Sequence, residues 1–161
     1  MSNTMRWRYG ETNPIVLPVA STTNIEIGDL VYFDTGTNTV KPAAALTYGA
    51  SLAATQQSFH NQFAGVAMQQ SKAGVPQDIR VATNGVFEFV CASATFEVGT
   101  RIGVDKNAGA TALLNQQVIA VGAANPELSI GYCAKRVSTA GTSVLVDIVG
   151  TLSHSGPQAV K

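Results

Sequence analysis

Charge is scarce in this chain of 161 residues: Asp, Glu, Lys and Arg make up 12% of it, as 10 acidic and 10 basic side chains that cancel. A globular domain usually devotes about a quarter of its residues to charge, so Thr, Ser, Asn, Gln, Gly and Ala must cover this surface. A neutral chain has no long-range field to draw in DNA, RNA or anionic lipid, which argues against nucleic acid as a partner. Cysteine is nearly absent too. Cys91 and Cys133 form no CxxC, and His60 and His154 stand far from both, so no metal site or disulfide framework is expected. Two buried small apolar side chains are the favoured reading of the cysteines. No apolar run approaches the ~20 residues of a membrane span. Met1 to Ala20 carries Arg6 and Arg8 without the apolar core of a secretory signal. The expectation is a protein made and kept in the cytosol until assembly, with no membrane partner and no cofactor. The length suits one domain with a sizeable core. Low charge also removes the repulsion that holds copies apart, so part of the surface is expected to be an interface.

What is present reads as short strands and turns. Ile25 to Ile27 alternates before Gly28-Asp29, and Leu30 to Phe33 is closed by Asp34 to Asn38. Ile79 to Thr83 and Val86 to Val90 both alternate around Asn84-Gly85, the strongest hairpin signal in the chain, since Asn-Gly supplies the positive φ angles of a type I′ turn. Val118 to Val121 and Val144 to Val149 are further strands. Only Ala50 to Phe63 looks helical, with Ser51 as a cap and Leu52, Thr55, Phe59 and Phe63 near helical spacing.

A weak repeat organises these pieces. Ile25 to Asp34 and Phe96 to Asp105 each read apolar-Glu-apolar-Gly, two spacers, apolar, spacer, apolar-Asp. Phe63 to Ala67 matches Ser129 to Ala134 in outline, and Ala73-Gly74 matches Ala140-Gly141. Gly28 and Gly99 fall where the chain must turn sharply, and Asp34 and Asp105 where Asx turns begin. Glu26, Glu97, Asp34 and Asp105 are what a duplicated strand-turn unit produces, and nothing points to their convergence as a metal or catalytic set. The expected organisation is an N-terminal arm over 1–24, a β domain over 25–150 with pseudo-repeats at about 25–85 and 96–150, and a solvated tail over 151–161. The fold class is all-β, a β-barrel or β-sandwich with one short helix near 51–62.

The arm holds the only Trp, and Arg6, Trp7, Arg8 and Tyr9 are residue types favoured as anchors on a neighbouring subunit. They are the candidate interface; Gly28, Gly99, Asn84 and Gly85 are the candidate structural turns. Catalytic motifs are missing: no GxSxG, GxxxxGK[ST] or HExxH occurs, and no nucleophile-base pair stands out. His60 falls on the polar side of the helix, where a solvated or capping role is expected. Tyr32, Phe33, Phe87 and Phe89 have no interleaved Lys or Arg, so they read as core instead of a base-stacking platform.

Leu52 to Phe59, Phe63 to Ala67, Val81 to Phe89 and Ala92 to Gly99, in that order, resemble a family of tailed-bacteriophage head proteins, the capsid decoration or cement proteins, over about residues 24–150. The resemblance implies a β unit on the outside of an icosahedral capsid that clamps neighbouring major capsid proteins, commonly as a symmetric oligomer, with no catalytic residues. The expected partners are therefore a major capsid protein and further copies of the chain, a trimer before a dimer because quasi-threefold positions suit a clamp. The competing reading is a carbohydrate-binding or host-attachment module, with Trp7 and Tyr9 or Tyr48 shaping a shallow groove.

Overall fold

The computed structural model describes residues 3–152, so the expected tail, His154 included, lies outside the described residues from 153 onward. The chain forms β1 (Trp7–Tyr9), β2 (Ile15–Val19), β3 (Leu30–Asp34), β4 (Thr39–Pro42), α1 (Leu52–His60), β5 (Phe63–Ala67), β6 (Gln77–Ala82), β7 (Asn84–Phe96), β8 (Arg101–Lys106), β9 (Leu113–Ala120), β10 (Gly131–Cys133) and β11 (Val137–Val149). One sheet runs β2-β6-β5-β3-β4 and the other β1-β7-β11-β10-β8-β9. In the second, β7 also pairs in parallel with β9, which closes β7 to β11 into a five-stranded barrel. The fold is all-β, with a barrel and one short helix.

Leaving out β1, the two sheets have the same order when counted from their first strands. Matching hydrogen bonds carry the repeat into detail. The amides of Gly28 and Gly99 donate to the carbonyls of Ala67 and Cys133, both at 2.9 Å. The amides of Ala67 and Cys133 donate back to Asp29 and Thr100 at 2.9 and 2.8 Å. A Cβ on Gly65 would lie 1.8 Å from the carbonyl oxygen of Ala82, and one on Gly131 2.1 Å from that of Asp147, so each sheet admits only glycine where its neighbouring strand comes closest.

Burial divides the strands between two cores. Leu30, Tyr32, Phe59, Phe63 and Val66 pack with Phe87, Phe89, Val104, Val118, Val146 and Ile148 from the second half. Val19, Ile25, Val31, Val40, Ala64, Ile79 and Val81 form a separate interior of the first sheet. Each fully buried large apolar side chain contributes about 1.5–3 kcal/mol by leaving water. The helix starts where expected, with the Ala54 amide donating to Ser51 Oγ at 3.2 Å, and it buries Thr55 and Phe59. It leans on the second half: Gln56 Nε2 donates to the Val104 carbonyl at 2.8 Å.

Several sequence expectations change in the fold. Ile25 to Ile27 is no strand; Ile25 makes a single bridge to Ser71, and the turn begins at once. Asn84-Gly85 makes no hairpin, because β6 and β7 belong to different sheets and Gly85 pairs with Ile148. A type I′ turn needs positive φ at both residues, and here only Gly85 has it, at +111°. The chain crosses from sheet to sheet there instead, held by the Thr83 amide, which donates to the Thr12 carbonyl at 2.9 Å. Asp34 does start an Asx turn, accepting from the Gly36 amide at 2.9 Å. In the second half Asp105 starts no such turn: it is buried and holds Gln117, and the loop that follows is tied by Asn107, whose Oδ1 accepts from the Thr111 amide four residues on at 2.9 Å. The first 24 residues do not stand clear as an extended arm either. β2 is a full strand of the first sheet, paired with β6 from Ile15↔Val81 to Val19↔Gln77, and β1 lies on β7. A strand's unpaired backbone groups are best satisfied on the nearest open edge.

Gly28 and Gly99 both turn with positive φ, +93° and +83°, yet their surroundings differ. A Cβ on Gly99 would meet open space, whereas one on Gly28 would lie 2.6 Å from the Thr4 carbonyl oxygen. Gly99→Ala should lower stability by about 1 kcal/mol, the cost of a left-handed Ala, and Gly28→Ala by clearly more. Urea unfolding checks this; equal losses would mean that the Thr4 contact carries no weight.

Candidate functional site

β1 is only three residues long and sits on the edge of its sheet, with Trp7 opposite Phe87 and Tyr9 opposite Val86 across a bulge. Its root is fixed by the residue before it. Arg6 is 4% exposed. Its Nε and Nη2 donate to Gln116 Oε1 at 3.2 and 2.6 Å, and its Nη1 donates to the Glu88 carbonyl at 3.3 Å. Gln116 Nε2 in turn donates to Asp29 Oδ1 at 2.8 Å, and the Glu26 amide donates to Asp29 Oδ2 at 3.0 Å. One chain of polar contacts thus joins the N-terminal segment, β7, β9 and the Gly28 turn, across the boundary between the two repeats.

This network is buried, and its charges bear the consequence. Loss of water pushes the Asp29 carboxyl above the ordinary carboxylate range, even though the Glu26 amide and Gln116 stabilise its ionised form. The same loss lowers the pKa of the Arg6 guanidinium, against the pull of the Glu88 and Asp29 charges. Arg6 was expected to anchor a neighbour; it is spent inside its own chain, because a buried guanidinium must be hydrogen-bonded where it lies. Arg8 is exposed and forks onto the Glu88 carboxylate, with Nε at 3.0 Å and Nη2 on the same oxygen. That bond, and then one from Ser143, holds Glu88 below its usual range.

Trp7 and Tyr9 remain as free surface. They are 42% and 49% exposed, and the Trp7 indole donates to the Gly10 carbonyl at 3.0 Å. Beside Tyr9 runs a groove of about 570 Å³, lined by Arg8 and Tyr9, by Glu88 and Leu145, which pair across β7 and β11, and by Lys135 and Arg136. A second hollow of about 460 Å³ lies over Arg6, Glu26, Asp29 and Gln117, where most polar groups already bond one another.

The remaining singled-out residues have structural places. Gly28 faces the N-terminal segment, Gly99 faces solvent, and Asn84 and Gly85 begin β7. Cys91 and Cys133 are free and buried, and burial pushes both thiols up. Tyr32, Phe87 and Phe89 are core; burial takes the Tyr32 phenol to about 12. His60 is not a solvated side chain: it is half-buried, and Nδ1 lies 2.6 Å from the Ser129 carbonyl oxygen, linking α1 to the second half. Glu97 bonds Arg136, and Asp34 bonds Lys41 Nζ at 2.5 Å. No group of three or more His, Cys, Asp or Glu able to hold a metal occurs among the described residues. Sequence reasoning missed Asp29, Gln116 and Lys135. Asp29 lies in the first repeat motif, but only as a spacer after the Gly28 turn; Gln116 and Lys135 lie in no motif, and Asp29 and Gln116, 87 residues apart, are brought together only by the fold.

No family model matches the chain, and no curated protein matches it. Among solved structures it is similar to the head fiber gp8.5 N base of bacteriophage phi29, at 12% identity and a TM-score of 0.48, over 84% of this chain and 93% of that one. A likeness of that size says nothing of what this chain does.

The raised pKa of Asp29 sets a sign. A folded state that holds its proton more tightly than the unfolded one loses stability as pH rises through the unfolded value toward the folded one. Asp29→Asn carries no such charge, so its deficit against the native protein should be largest near pH 3.5 and shrink toward pH 7. Unfolding curves at about four pH values across that range check this, and a constant gap would contradict the burial argument.

Proposed function

We propose that this chain is a structural virion protein of a tailed bacteriophage, bound to the outside of the capsid and clamping neighbouring major capsid proteins to stabilise the DNA-filled head. It catalyses nothing and works as a homo-oligomer, a trimer before a dimer. The observation that carries this reading is the edge strand β1: Trp7 and Tyr9 stand half out of the surface on a strand locked at its root by the buried Arg6–Gln116 contact. Rigid aromatic side chains on a fixed edge give large contact area at little entropic cost, and the open backbone edge adds main-chain hydrogen bonds.

The composition supports the same reading. A chain with 12% charged residues and no net charge suits close packing on a shell. An interface of about 800 Å² per partner is enough for specificity, and many such contacts over a lattice add by avidity. The order of motifs resembling the decoration proteins, described above, points the same way.

The test is co-sedimentation with expanded heads of the phage that encodes the chain. The native protein should pellet with the heads. Trp7→Ala/Tyr9→Ala should lose most of its occupancy while its unfolding stability stays within about 0.5 kcal/mol, as befits exposed positions. Full occupancy of the double variant removes β1 from the interface. A native protein that ignores heads but binds a glycan array would favour the host-attachment reading instead.

A further inference from the structure

We infer that the groove beside β1 receives an extended acidic segment of a partner protein, laid along the outer face of the β7–β11 ribbon. The inference names the partner of the surface proposed above and takes from that reading only the partner's identity as a shell protein.

The chain as a whole is neutral, but this groove is not. Arg8, Lys135 and Arg136 stand around it against a single lining carboxylate, Glu88. Arg8 is matched by Glu88, and Arg136 by Glu97 from outside the groove. Both pairs are exposed, and such pairs contribute little to holding the fold. Lys135 has no ion-pair partner among the described residues. The surplus is positive, and it awaits carboxylates.

Shape decides what kind of anion fits. Phe87, Phe89, Val144 and Val146 turn to the buried side of the ribbon. Glu88 and Leu145, which are paired across it, help line the groove with Val137. The groove thus sets the apolar surface of Val137, Leu145 and Tyr9 among Arg8, Lys135 and Arg136, with Glu88 as its one carboxylate. That is the complement of a strand that alternates carboxylates with apolar side chains. A second copy of this chain docking by the same face would bring like charges together, which costs affinity.

Two measurements on the full-length protein test this. In the first, a labelled octapeptide of alternating Glu and Val is titrated against one of alternating Lys and Val, read by fluorescence anisotropy. The acidic peptide should bind. Lys135→Glu/Arg136→Glu should bind it roughly tenfold more weakly or worse, and Lys72→Glu/Arg80→Glu, whose changes are exposed on the first sheet and its loop, should not. Equal binding of both peptides, or of all three proteins, overturns the inference. In the second, the same proteins are sedimented with heads and alone. Loss of head binding confined to Lys135→Glu/Arg136→Glu supports the groove; full retention, or a change in that variant's own solution mass, overturns it, the latter by making the groove a self-interface. A native protein that takes the acidic peptide yet ignores heads would leave the groove standing and remove the virion reading.

Discussion

The strands β3 and β5 are buried on both faces, and the molecule's behaviour as one body follows from that. In β3, Leu30 and Tyr32 face the core shared with the second half, while Val31 faces the interior of the first sheet. In β5 the bulge at Gly65 lets Phe63 and Val66 reach the shared core and Ala64 and Ala67 the other. A strand buried on both sides loses its apolar contacts if either layer leaves. The two repeats are thus bound by packing as well as by chain, and the crossing at Thr83 has no slack with which to separate them. A fold of this kind transmits a fixed geometry to its surface.

The Arg6–Gln116–Asp29 contacts do for the N-terminus what the shared core does for the sheets. Burying a carboxylate is unfavourable, and a packed apolar group of the same volume would often serve stability as well. What a hydrogen-bonded set adds is direction. Gln116 must present its oxygen to Arg6 and its amide to Asp29, and this leaves one arrangement of the segment before β1. Trp7 and Tyr9 inherit that arrangement. Aromatic side chains on a free tail would have to be ordered on binding, at a cost to affinity; here most of that ordering is complete in the folded chain.

What could be read from the sequence was what local periodicity encodes. The strands around Leu30 and Val144, the Ser51 cap and the Gly28 and Gly99 turns are set by residues close to one another in the chain. The repeat was readable because the same turn recurs with the same spacing. The Asn-Gly pair misled because its ability to take positive φ says that the backbone bends, not whether the flanking strands share a sheet. The N-terminal segment misled for a related reason. The matched motifs began at Ile25, yet the first strand of each structural unit precedes its repeat motif, as β2 and β7 do. Lys135 and Arg136 carried no signal, since an exposed basic pair means nothing until a ribbon folds beside it.

Overall neutrality can therefore mislead about where this molecule attracts. A balanced total excludes steering over distances much beyond the ~10 Å at which salt screens, but it leaves local order free. Here three carboxylates are held away from the groove: Asp29 and Asp105 are buried, and Asp34 is tied to Lys41. Beside the exposed Tyr9, Lys135 is left without an ion-pair partner among the described residues, next to Arg8 and Arg136, whose own pairs are exposed. Short-range complementarity without long-range pull is what the proposed docking on one surface in register asks for. A strong net charge would have brought it to any polyanion in the cell. A groove that is positive only at contact distance selects by fit, because the favourable energy appears only once β1 and the ribbon are both engaged.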